Sequence, residues 1–301
     1  MSHHVAVLKG GLSSEREVSL NTGKAVAQAL KSKGYKVTEV DVDNNISAAL
    51  TEIKPDVVFN ALHGTYGEDG CIQGVLEFLR IPYTHSGVMA SAVAMHKPTA
   101  KVLFESVGIK CAEGKVVTRQ EAASGRVMEA PYVIKPIDEG SSVGVLIVLD
   151  GDEVNENDEG FPQGDNLLIE KYISGRELSV AVMEGKALGV VEIKPKDGFY
   201  DYRNKYTSGM TEYLIPAPVD EKIYKQALEM AEKADKILGC RGVSRADIRY
   251  GDDGKLYMLE VNTHPGMTST SLVPKIAAKS GMDFENLVDR LVRIARCDIE
   301  A

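Results

Sequence analysis

The stretch Arg245–Asn262, RADIRYGDDGKLYMLEVN, carries the strongest fold signal in the chain. Its two strand-like runs flank Asp253-Gly254, a pair typical of a tight turn between antiparallel strands. The spacing predicts a hairpin in which Asp247 lies opposite Glu260. A slip of one residue would bury charged side chains, so the apolar pattern fixes this register. The expected apolar face carries Ala246, Ile248, Tyr250, Tyr257, Leu259 and Val261.

The opposite face of the hairpin predicts a cluster of oxygen ligands. Asp247 and Glu260 would have Cβ atoms about 5 Å apart, which is destabilising for two like charges unless a cation lies between them. Asn262 shares their face because it lies two residues from Glu260. Magnesium often takes one or two carboxylates together with substrate phosphates. The hairpin alone leaves two interpretations open: a magnesium site, or a solvent-facing ladder with Arg245 and Arg249 as counter-ions.

Length and composition indicate a globular protein of about two or three domains, at roughly 100–200 residues per domain. Of 301 residues, 26% are charged and 44% hydrophobic, which is ordinary for a globular chain. The net charge of −9 disfavours nucleic acid and anionic membrane surfaces as partners. Without a signal-peptide pattern or an apolar run near ~18 residues, we expect a cytoplasmic protein. The cysteines are too scattered for a disulfide framework or zinc site: Cys71, Cys111, Cys240 and Cys297.

The first ~95 residues alternate strand and helix patterns, as an open α/β sheet would. The apolar run Val5–Leu8 ends at Gly10-Gly11, and Ser14 with Glu17 predicts a capping box at the start of a helix. We expect further strands near residues 37–42, 56–62 and 81–83, and later helices near 97–107 and 219–238.

Residues 135–144, KPIDEGSSVG, follow a predicted strand and form a glycine- and serine-rich segment. Backbone N–H groups in such a segment can approach phosphate oxygens, and Lys135 adds a positive charge nearby. The segment is not a P-loop, and the chain has no G-x-G-x-x-G dinucleotide motif. An ordinary turn is the alternative for this segment, and the missing glycine motif disfavours a dinucleotide oxidoreductase.

Taken in order, five blocks of the chain resemble the D-alanine–D-alanine ligases of the ATP-grasp superfamily. The blocks are GGLSSEREVS (10–19), HGTYGEDG (63–70), KPIDEGSSVG (135–144), FYDYRNKY (199–206) and EVNTHPGMTSTS (260–271). The similarity extends over nearly the whole chain. Family members often have Gly where this chain has Ser244, and Ser where it has His264.

The resemblance implies an ATP-grasp fold of mixed α/β and α+β class, in which two domains clasp ATP behind an N-terminal Rossmann-like domain. We predict a Rossmann-like domain over residues 1–95, a central ATP-grasp subdomain over 96–185, and a C-terminal ATP-grasp and substrate domain over 186–301. A lid loop over 195–212 is expected within the last domain, because loops this long in compact domains are usually functional or disordered.

The resemblance also implies the reaction. ATP would phosphorylate the carboxylate of one D-alanine, and the amine of a second would attack the acyl phosphate to give D-alanyl-D-alanine for peptidoglycan precursors. Positioning and charge stabilisation would dominate such chemistry. The alternatives are a related ligase with another second substrate, such as D-lactate, or a non-catalytic nucleotide-binding module, since fold does not fix function.

The family places the first D-alanine around Glu15, whose carboxylate would hold the substrate ammonium. At a helix N-terminus this carboxylate stays charged. His63 would lie beside it, while Ser141 and Tyr206 would join Glu15 in a hydrogen-bonded relay that closes the site. Lys205 would reach the transferring phosphate or the product carboxylate.

For the acyl-transfer step, the resemblance places Arg245 and the Gly266 backbone N–H at the oxyanion of the tetrahedral intermediate. Ser271 would bind the carboxylate of the second substrate. The family also favours the metal interpretation of the hairpin, with magnesium ligands Asp247, Glu260 and Asn262.

ATP is the implied co-substrate, with two Mg²⁺ ions for which Mn²⁺ can substitute. Lys97, Lys135 and Ser142 would contact its phosphates, and Glu177 its ribose. The adenine and hinge would be lined by Glu170, Lys171, Tyr172 and Ile173. We expect only small-molecule substrates and a homodimer, although the sequence carries no signal for oligomeric state.

Overall fold

The computed structural model describes residues 3–125, 127–140, 144–157, 160–196 and 210–298. Within these ranges the strands form three sheets, of three, four and five strands. Helices cover the first and last sheets, and the middle sheet packs on a short helix and a loop. This mixed α/β architecture agrees with the predicted fold class.

The N-terminal sheet is parallel and has its first strand in the centre. Its strands are β1 (His4–Lys9), β2 (Lys36–Asp41) and β3 (Val57–Asn60), in the order β2-β1-β3. The helices that follow them are α1 (Arg16–Ser32), α2 (Ile46–Ile53) and α3 (Cys71–Leu79). Val5 and Val7 pack against α1, whereas Ala6 and Leu8 pack against α2 and α3. Burial on both faces explains the unbroken apolar run of β1 and confirms the predicted Rossmann-like arrangement.

The predicted capping box from Ser14 to Glu17 is wrong. Glu15 is the N-cap of α1, and no side chain caps this helix. The hydroxyl of Ser13 instead accepts from the backbone N–H of Glu15 at 3.2 Å and donates to the carbonyl of His63 at 2.6 Å. A contact with a distant loop therefore replaces the local cap.

The chain leaves the first sheet through a segment that is mostly irregular. Of the strand expected at residues 81–83, only Tyr83 pairs with the sheet, in an isolated parallel bridge to Val58. Two helices follow, α4 (Val88–Met95) and α5 (Lys97–Ser106), and the second confirms the helix predicted near residue 97.

The central sheet contains four antiparallel strands in the order β4-β7-β5-β6. They are β4 (Gly114–Thr118), β5 (Tyr132–Pro136), β6 (Leu146–Val148) and β7 (Asn166–Lys171). One face packs against the short helix α6 (Arg119–Ala123) and against Phe161, which is buried. Phe161 thereby anchors the end of the acidic loop that precedes β7 to this core.

The C-terminal sheet contains five antiparallel strands in the order β10-β9-β8-β11-β12. They are β8 (Gly175–Met183), β9 (Lys186–Pro195), β10 (Thr211–Leu214), β11 (Val243–Gly251) and β12 (Leu256–Asn262). The remaining helices are α7 (Glu221–Leu238), α8 (Leu272–Lys279) and α9 (Phe284–Arg293). The domain boundary expected at residue 185 lies in the turn between β8 and β9, two paired strands of this one sheet.

The β11–β12 hairpin has the predicted pairing at its far end and a different one near its turn. Asp247 pairs with Glu260 as expected, but Ile248 then pairs with Met258, which leaves Leu259 as the extra residue of a β-bulge. On β12 the predicted apolar face is therefore wrong between the bulge and the turn, where Leu256 and Met258 join the core in place of Tyr257 and Leu259. The predicted members Ala246, Ile248, Tyr250 and Val261 do pack in that core.

Among the described helices, none is both long enough and apolar enough to cross a membrane.

Candidate active site

Two adjoining cavities lie where the three sheets meet, with volumes of about 380 Å³ and 110 Å³. The larger lies between the N-terminal end of α1, the end of β12 and the loop that follows β12. The smaller lies between the central and C-terminal sheets. Their shared wall is formed by Lys97, Glu139, Asp247 and Glu260. Groups bound in the two cavities would therefore meet at a wall of three acidic residues and one lysine.

Glu15 lies in the larger cavity, buried at the N-terminus of α1. The backbones of two glycines lie close to its carboxylate. A Cβ at Gly140 would lie 3.0 Å from Glu15 Oε1, and a Cβ at Gly64 would lie 3.2 Å from the same atom. These glycines allow two loops to close on the carboxylate, and the helix dipole favours its negative charge.

His63 lines the same cavity and is held by two side chains. Its Nδ1 lies 3.0 Å from Glu68 Oε1, and its Nε2 lies 3.0 Å from Thr22 Oγ1. The imidazole orientation is thereby fixed beside Glu15. Glu68 was not identified from the sequence as a site residue. Its position in the HGTYGEDG block, five residues after His63, could have indicated it.

The carboxylate of Asp247 is fixed by neighbours on two strands. Arg245 donates to it from Nε at 2.9 Å and from Nη2 at 2.7 Å, and the Ser179 hydroxyl donates to Oδ1. Asp247, which pairs with Glu260 as predicted, therefore has a counter-ion on its own strand, Arg245. These donors occupy both lone pairs of Oδ1 and at least one of Oδ2, so a ligand in the cavity would reach Asp247 through Oδ2.

The end of β12 supplies two more oxygen-bearing side chains. Glu260 Oε2 lies 3.7 Å from Lys97 Nζ, and Asn262 Oδ1 accepts the backbone N–H of His264 at 2.8 Å. In the described residues no group of three or more His, Cys, Asp or Glu side chains could hold a metal ion. The predicted set of two carboxylates and one amide oxygen nevertheless fits Mg²⁺, which prefers hard oxygen donors and uses substrate phosphates for the rest.

The loop after β12 carries the expected acyl-transfer groups. Gly266 and Ser271 both line the larger cavity. A Cβ at Gly266 would lie 3.1 Å from Ser271 Oγ, so only glycine lets the backbone approach this hydroxyl without displacing it. The same hydroxyl lies 2.8 Å from Thr268 Oγ1, which fixes its position at the start of α8.

Glu170 lies between two buried lysines in the smaller cavity. Lys101 and Lys135 each form an ion pair with one of its carboxylate oxygens. Burial alone would raise the pKa of Glu170, but the two positive charges outweigh burial and hold that pKa below its usual value. The sequence indicated Lys135 but not Lys101, even though Lys101 lies four residues after Lys97 and so on the same helix face.

The other predicted nucleotide contacts also line the smaller cavity: Lys171, Tyr172, Ile173 and Glu177. Arg249, which received no nucleotide role from the sequence, lies 3.4 Å from Glu177 and donates to the Ile173 carbonyl at 3.2 Å. Leu259 reaches this cavity as the extra residue of the β-bulge. The cavity therefore combines an apolar wall with a charged rim, which suits a flat heterocycle linked to a polar sugar.

Lys97 is the buried cation of the shared wall. Its ammonium donates to the Glu139 carbonyl, and its backbone N–H donates to the Ile137 carbonyl at 2.9 Å. Burial lowers the pKa of Lys97, and the nearby charge of Glu260 partly offsets that effect. These contacts fix the start of α5 to the glycine-rich segment.

Four of the predicted site residues lie outside the described ranges: Ser141, Ser142, Lys205 and Tyr206. Most of the expected lid, 197–209, also lies outside them. The flanking strands β9 and β10 are described, and Pro195 pairs with Thr211.

Two family models match this chain. The model described as "D-ala D-ala ligase C-terminus" matches residues 103–293, and the one described as "D-ala D-ala ligase N-terminus" matches residues 45–86. Together they include most residues that line the two cavities, apart from those of the first helix and Ala94, Met95 and Lys97.

Curated relatives and solved structures match over nearly the full length. A D-alanine–D-alanine ligase from Parvibaculum lavamentivorans is 53% identical over 302 residues, which is 98% of each chain. One from Paramagnetospirillum magneticum is also 53% identical, over 99% of this chain and 100% of the relative. The crystal structure of D-alanine–D-alanine ligase from Bacillus anthracis has a TM-score of 0.83 at 32% identity and 97% coverage of both chains. A structure of the Bacillus anthracis enzyme complexed with ATP has a TM-score of 0.81 at 29% identity, again over 97% of both.

Proposed function

The chain belongs to the D-alanine–D-alanine ligase family and is a ligase of peptidoglycan synthesis; we propose that its two cavities divide the reaction between amino acids and nucleotide. The larger cavity would take both D-alanine molecules. The smaller would take the adenosine of ATP, with the phosphates reaching the shared wall. The observation that carries this division is the wall itself, because Lys97, Asp247 and Glu260 line both cavities.

In the larger cavity, we propose that Glu15 binds the ammonium of the first D-alanine. The evidence is its burial at the cavity wall and the close approach of Gly64 and Gly140. His63, fixed by Glu68, would border the same substrate. Binding at this point would direct the substrate carboxylate toward Lys97 and the shared wall, where phosphoryl transfer needs a positive charge near the transferred group.

The proposed reaction has two steps. A carboxylate oxygen of the first D-alanine attacks the γ-phosphorus of ATP, the bond to ADP breaks, and an acyl phosphate forms. The amine of the second D-alanine then attacks the acyl carbon, phosphate leaves with its electron pair, and the amine loses a proton. Arg245 and the Gly266 N–H would stabilise the oxyanion of this second step, and Ser271 would hold the second carboxylate.

For the metal, we propose that Asp247, Glu260 and Asn262 hold Mg²⁺ in two sites, with Mn²⁺ as a substitute. The donor set supports this because it consists of hard oxygens that face the cavity. When bound, the ions would neutralise phosphate charge. Arg245, by holding Asp247, would keep one of these carboxylates ionised and oriented.

For nucleotide binding, we propose that Lys97 and Lys135 contact phosphates, while the segment from Glu170 to Ile173 borders the adenine and Glu177 the ribose. Glu170 would keep Lys135 in place through their ion pair. Ser142 is proposed as a phosphate contact on sequence grounds alone. Ser141, Tyr206 and Lys205 are likewise proposed to close the first site over the substrate.

We also propose that the chain has three domains. The boundary between the second and third domains, expected at residue 185, is proposed to lie near Gly175, where the five-stranded sheet begins. A cytoplasmic location is proposed from the charge and the scattered cysteines.

A homodimer is proposed through α3 and α4, which expose two large apolar side chains. Phe78 is 89% exposed and Met89 is 73% exposed. Such side chains on neighbouring helices are typical of an interface that a second copy covers. Sedimentation should show that Phe78→Glu yields monomer, whereas Val102→Glu, at another exposed apolar position, leaves the dimer intact. A monomeric wild-type protein would contradict the proposal.

The test of function is phosphate release from ATP with Mg²⁺ and either D-alanine, L-alanine or no amino acid. We expect rapid release only with D-alanine. Equal release without an amino acid, or none with D-alanine, would contradict the ligase assignment.

A further inference from the structure

Two histidines lie behind the wall of the larger cavity and have no part in the reaction described above. His85 and His264 are 3% and 2% exposed, and their ring centroids are 4.5 Å apart. Both Nδ1 atoms are buried without a hydrogen-bond partner among the described residues. Buried polar atoms are rarely left without partners, so this pair of rings requires an explanation.

The protonation of His264 follows from its contact with Asn60, at the end of β3. Asn60 Nδ2 lies 2.9 Å from His264 Nε2, and it also donates to the Gly67 carbonyl at 2.9 Å. Asn60 Oδ1 accepts the Leu62 N–H at 3.1 Å, which fixes the orientation of the amide. An amide nitrogen only donates, so His264 Nε2 accepts and the ring carries its proton on Nδ1.

His85 has the opposite arrangement. A hydrogen bond to the backbone of Val243 raises its pKa, which is the effect of donation to a carbonyl. Since Nδ1 has no partner in the described part of the chain, Nε2 makes that bond. Burial is the larger influence and lowers the pKa of His85 to about 3, so this ring is also neutral. Its Nδ1 is therefore a bare acceptor.

One unpartnered nitrogen is thus a donor and the other an acceptor, in rings that already touch. We propose that His264 is a positioning residue whose Nδ1–H donates to one buried water, which donates in turn to His85 Nδ1. The resulting chain of contacts links Asn60 on β3, His264 in the loop after β12, and Val243 on β11. It joins the N-terminal sheet to the C-terminal sheet behind the cavity.

The consequence for the site rests on the function proposed above. The backbone N–H of His264 holds Asn262 Oδ1, and Gly266 lies two residues further along the same loop. A shift of His264 would therefore move a proposed metal ligand and a proposed oxyanion donor together. Lys135 and Tyr172 line the smaller cavity and not the larger one, so a shift of this loop should disturb them less.

The direct test is nuclear magnetic resonance of the intact protein with ¹⁵N-labelled histidine. We expect His264 to show a protonated Nδ1 and a bare Nε2, and His85 to show the reverse. A protonated Nε2 on His264, or two charged rings near neutral pH, would overturn the proposal. This measurement needs no ligase activity, so its result tests the histidine proposal independently of the proposed function.

Variants test the consequence for substrate binding. His264→Gln can accept from Asn60 and donate toward His85, so it should keep near-normal activity. His264→Leu leaves both partners unsatisfied, and we expect kcat/KM for the second D-alanine to fall at least about tenfold while KM for ATP changes less than about twofold. The exposed position His3 gives the matched control, His3→Leu. Unchanged kinetics in His264→Leu, or an equal loss in His264→Gln, would contradict a positioning role; if the Leu variant does not fold, the resonance measurement decides.

Discussion

Lys97 Nζ lies 3.7 Å from Glu260 Oε2, and both side chains line both cavities. The pair therefore marks the place where a nucleotide phosphate and an amino-acid carboxylate would meet. An ammonium suits the transferring phosphate, and a carboxylate suits a cation that accompanies it.

Removing the Glu260 charge should abolish ligation while the protein still folds. Glu260→Gln keeps the shape of a side chain that is 29% exposed but removes a proposed metal ligand. We expect turnover to fall by about a hundredfold or more, because losing a charged ligand weakens the metal and the transition state together. Phosphate release as a function of magnesium concentration measures the effect.

The matched control is Glu221→Gln, a carboxylate that is 83% exposed and paired with Lys225 along its helix. It should leave turnover and magnesium dependence unchanged. Near-normal turnover of Glu260→Gln at limiting magnesium would show that the metal site lies elsewhere.

Glu15 and Glu17 provide a second matched pair at the start of α1. Glu15 is buried in the cavity, whereas Glu17 is exposed one half-turn later. Glu15→Gln should raise the KM for the first D-alanine at least about tenfold, because a buried charge-assisted hydrogen bond is lost. Glu17→Gln should leave it unchanged. Equal effects of the two substitutions would point to a dipole effect on the helix rather than a substrate contact.

Parts of the hairpin could be predicted because their signals are local. Asp253-Gly254 and the apolar alternation place Asp247 opposite Glu260, as found. The bulge at Leu259 has no local signal, since it depends on how β12 packs against α7 and borders the smaller cavity. The predicted apolar face is therefore correct for β11 and for Val261, and wrong for β12 between the bulge and the turn.

The candidate active site, like the hairpin, could be predicted only where its signals are local. Glu15 and His63 could be chosen from the motif blocks, but Ser13 joins them across 50 residues and so replaces the expected cap. Lys101 lies on the same helix face as Lys97, yet its partner Glu170 is 69 residues away. Residue patterns indicate which side chains carry chemistry; long-range packing decides what holds them.

The Lys101–Glu170–Lys135 cluster predicts a pH-dependent stability. Glu170→Gln leaves two buried ammonium groups without their counter-ion, and we expect a loss of about 3–5 kcal/mol in the free energy of unfolding near pH 7. The pKa of Glu170 is lowered in the folded state, so its contribution is complete above the unfolded value near 4.5 and is lost as the pH falls further.

Denaturant unfolding of wild type and Glu170→Gln at several pH values measures this dependence. The gap in unfolding free energy should be constant from pH 7 to about 5.5 and should narrow below the value of 4.5. Glu113→Gln, at an exposed site beside the same sheet, serves as the control. A gap that widens in acid would contradict the ion-pair assignment.

The second substrate is predicted from Tyr206, which lies outside the described residues. In the family, tyrosine here accompanies amine nucleophiles and phenylalanine often accompanies hydroxy acids. A site built around a polar network penalises a partner that leaves it unsatisfied. With D-alanine and D-lactate in competition near neutral pH, mass analysis should find mainly dipeptide, and Tyr206→Phe should raise the share of depsipeptide. Mostly depsipeptide from wild type would favour the D-lactate alternative.

The central claim, that the carboxylate of the first D-alanine is phosphorylated before the amine attacks, is tested most directly by oxygen transfer. The protein is incubated with ATP, Mg²⁺ and D-alanine labelled with ¹⁸O in its carboxylate, and the released phosphate is analysed by mass. Because the acyl phosphate breaks at the acyl carbon, we predict one labelled oxygen in each phosphate released with dipeptide. Unlabelled phosphate, formed at the same rate as the dipeptide, would contradict the account.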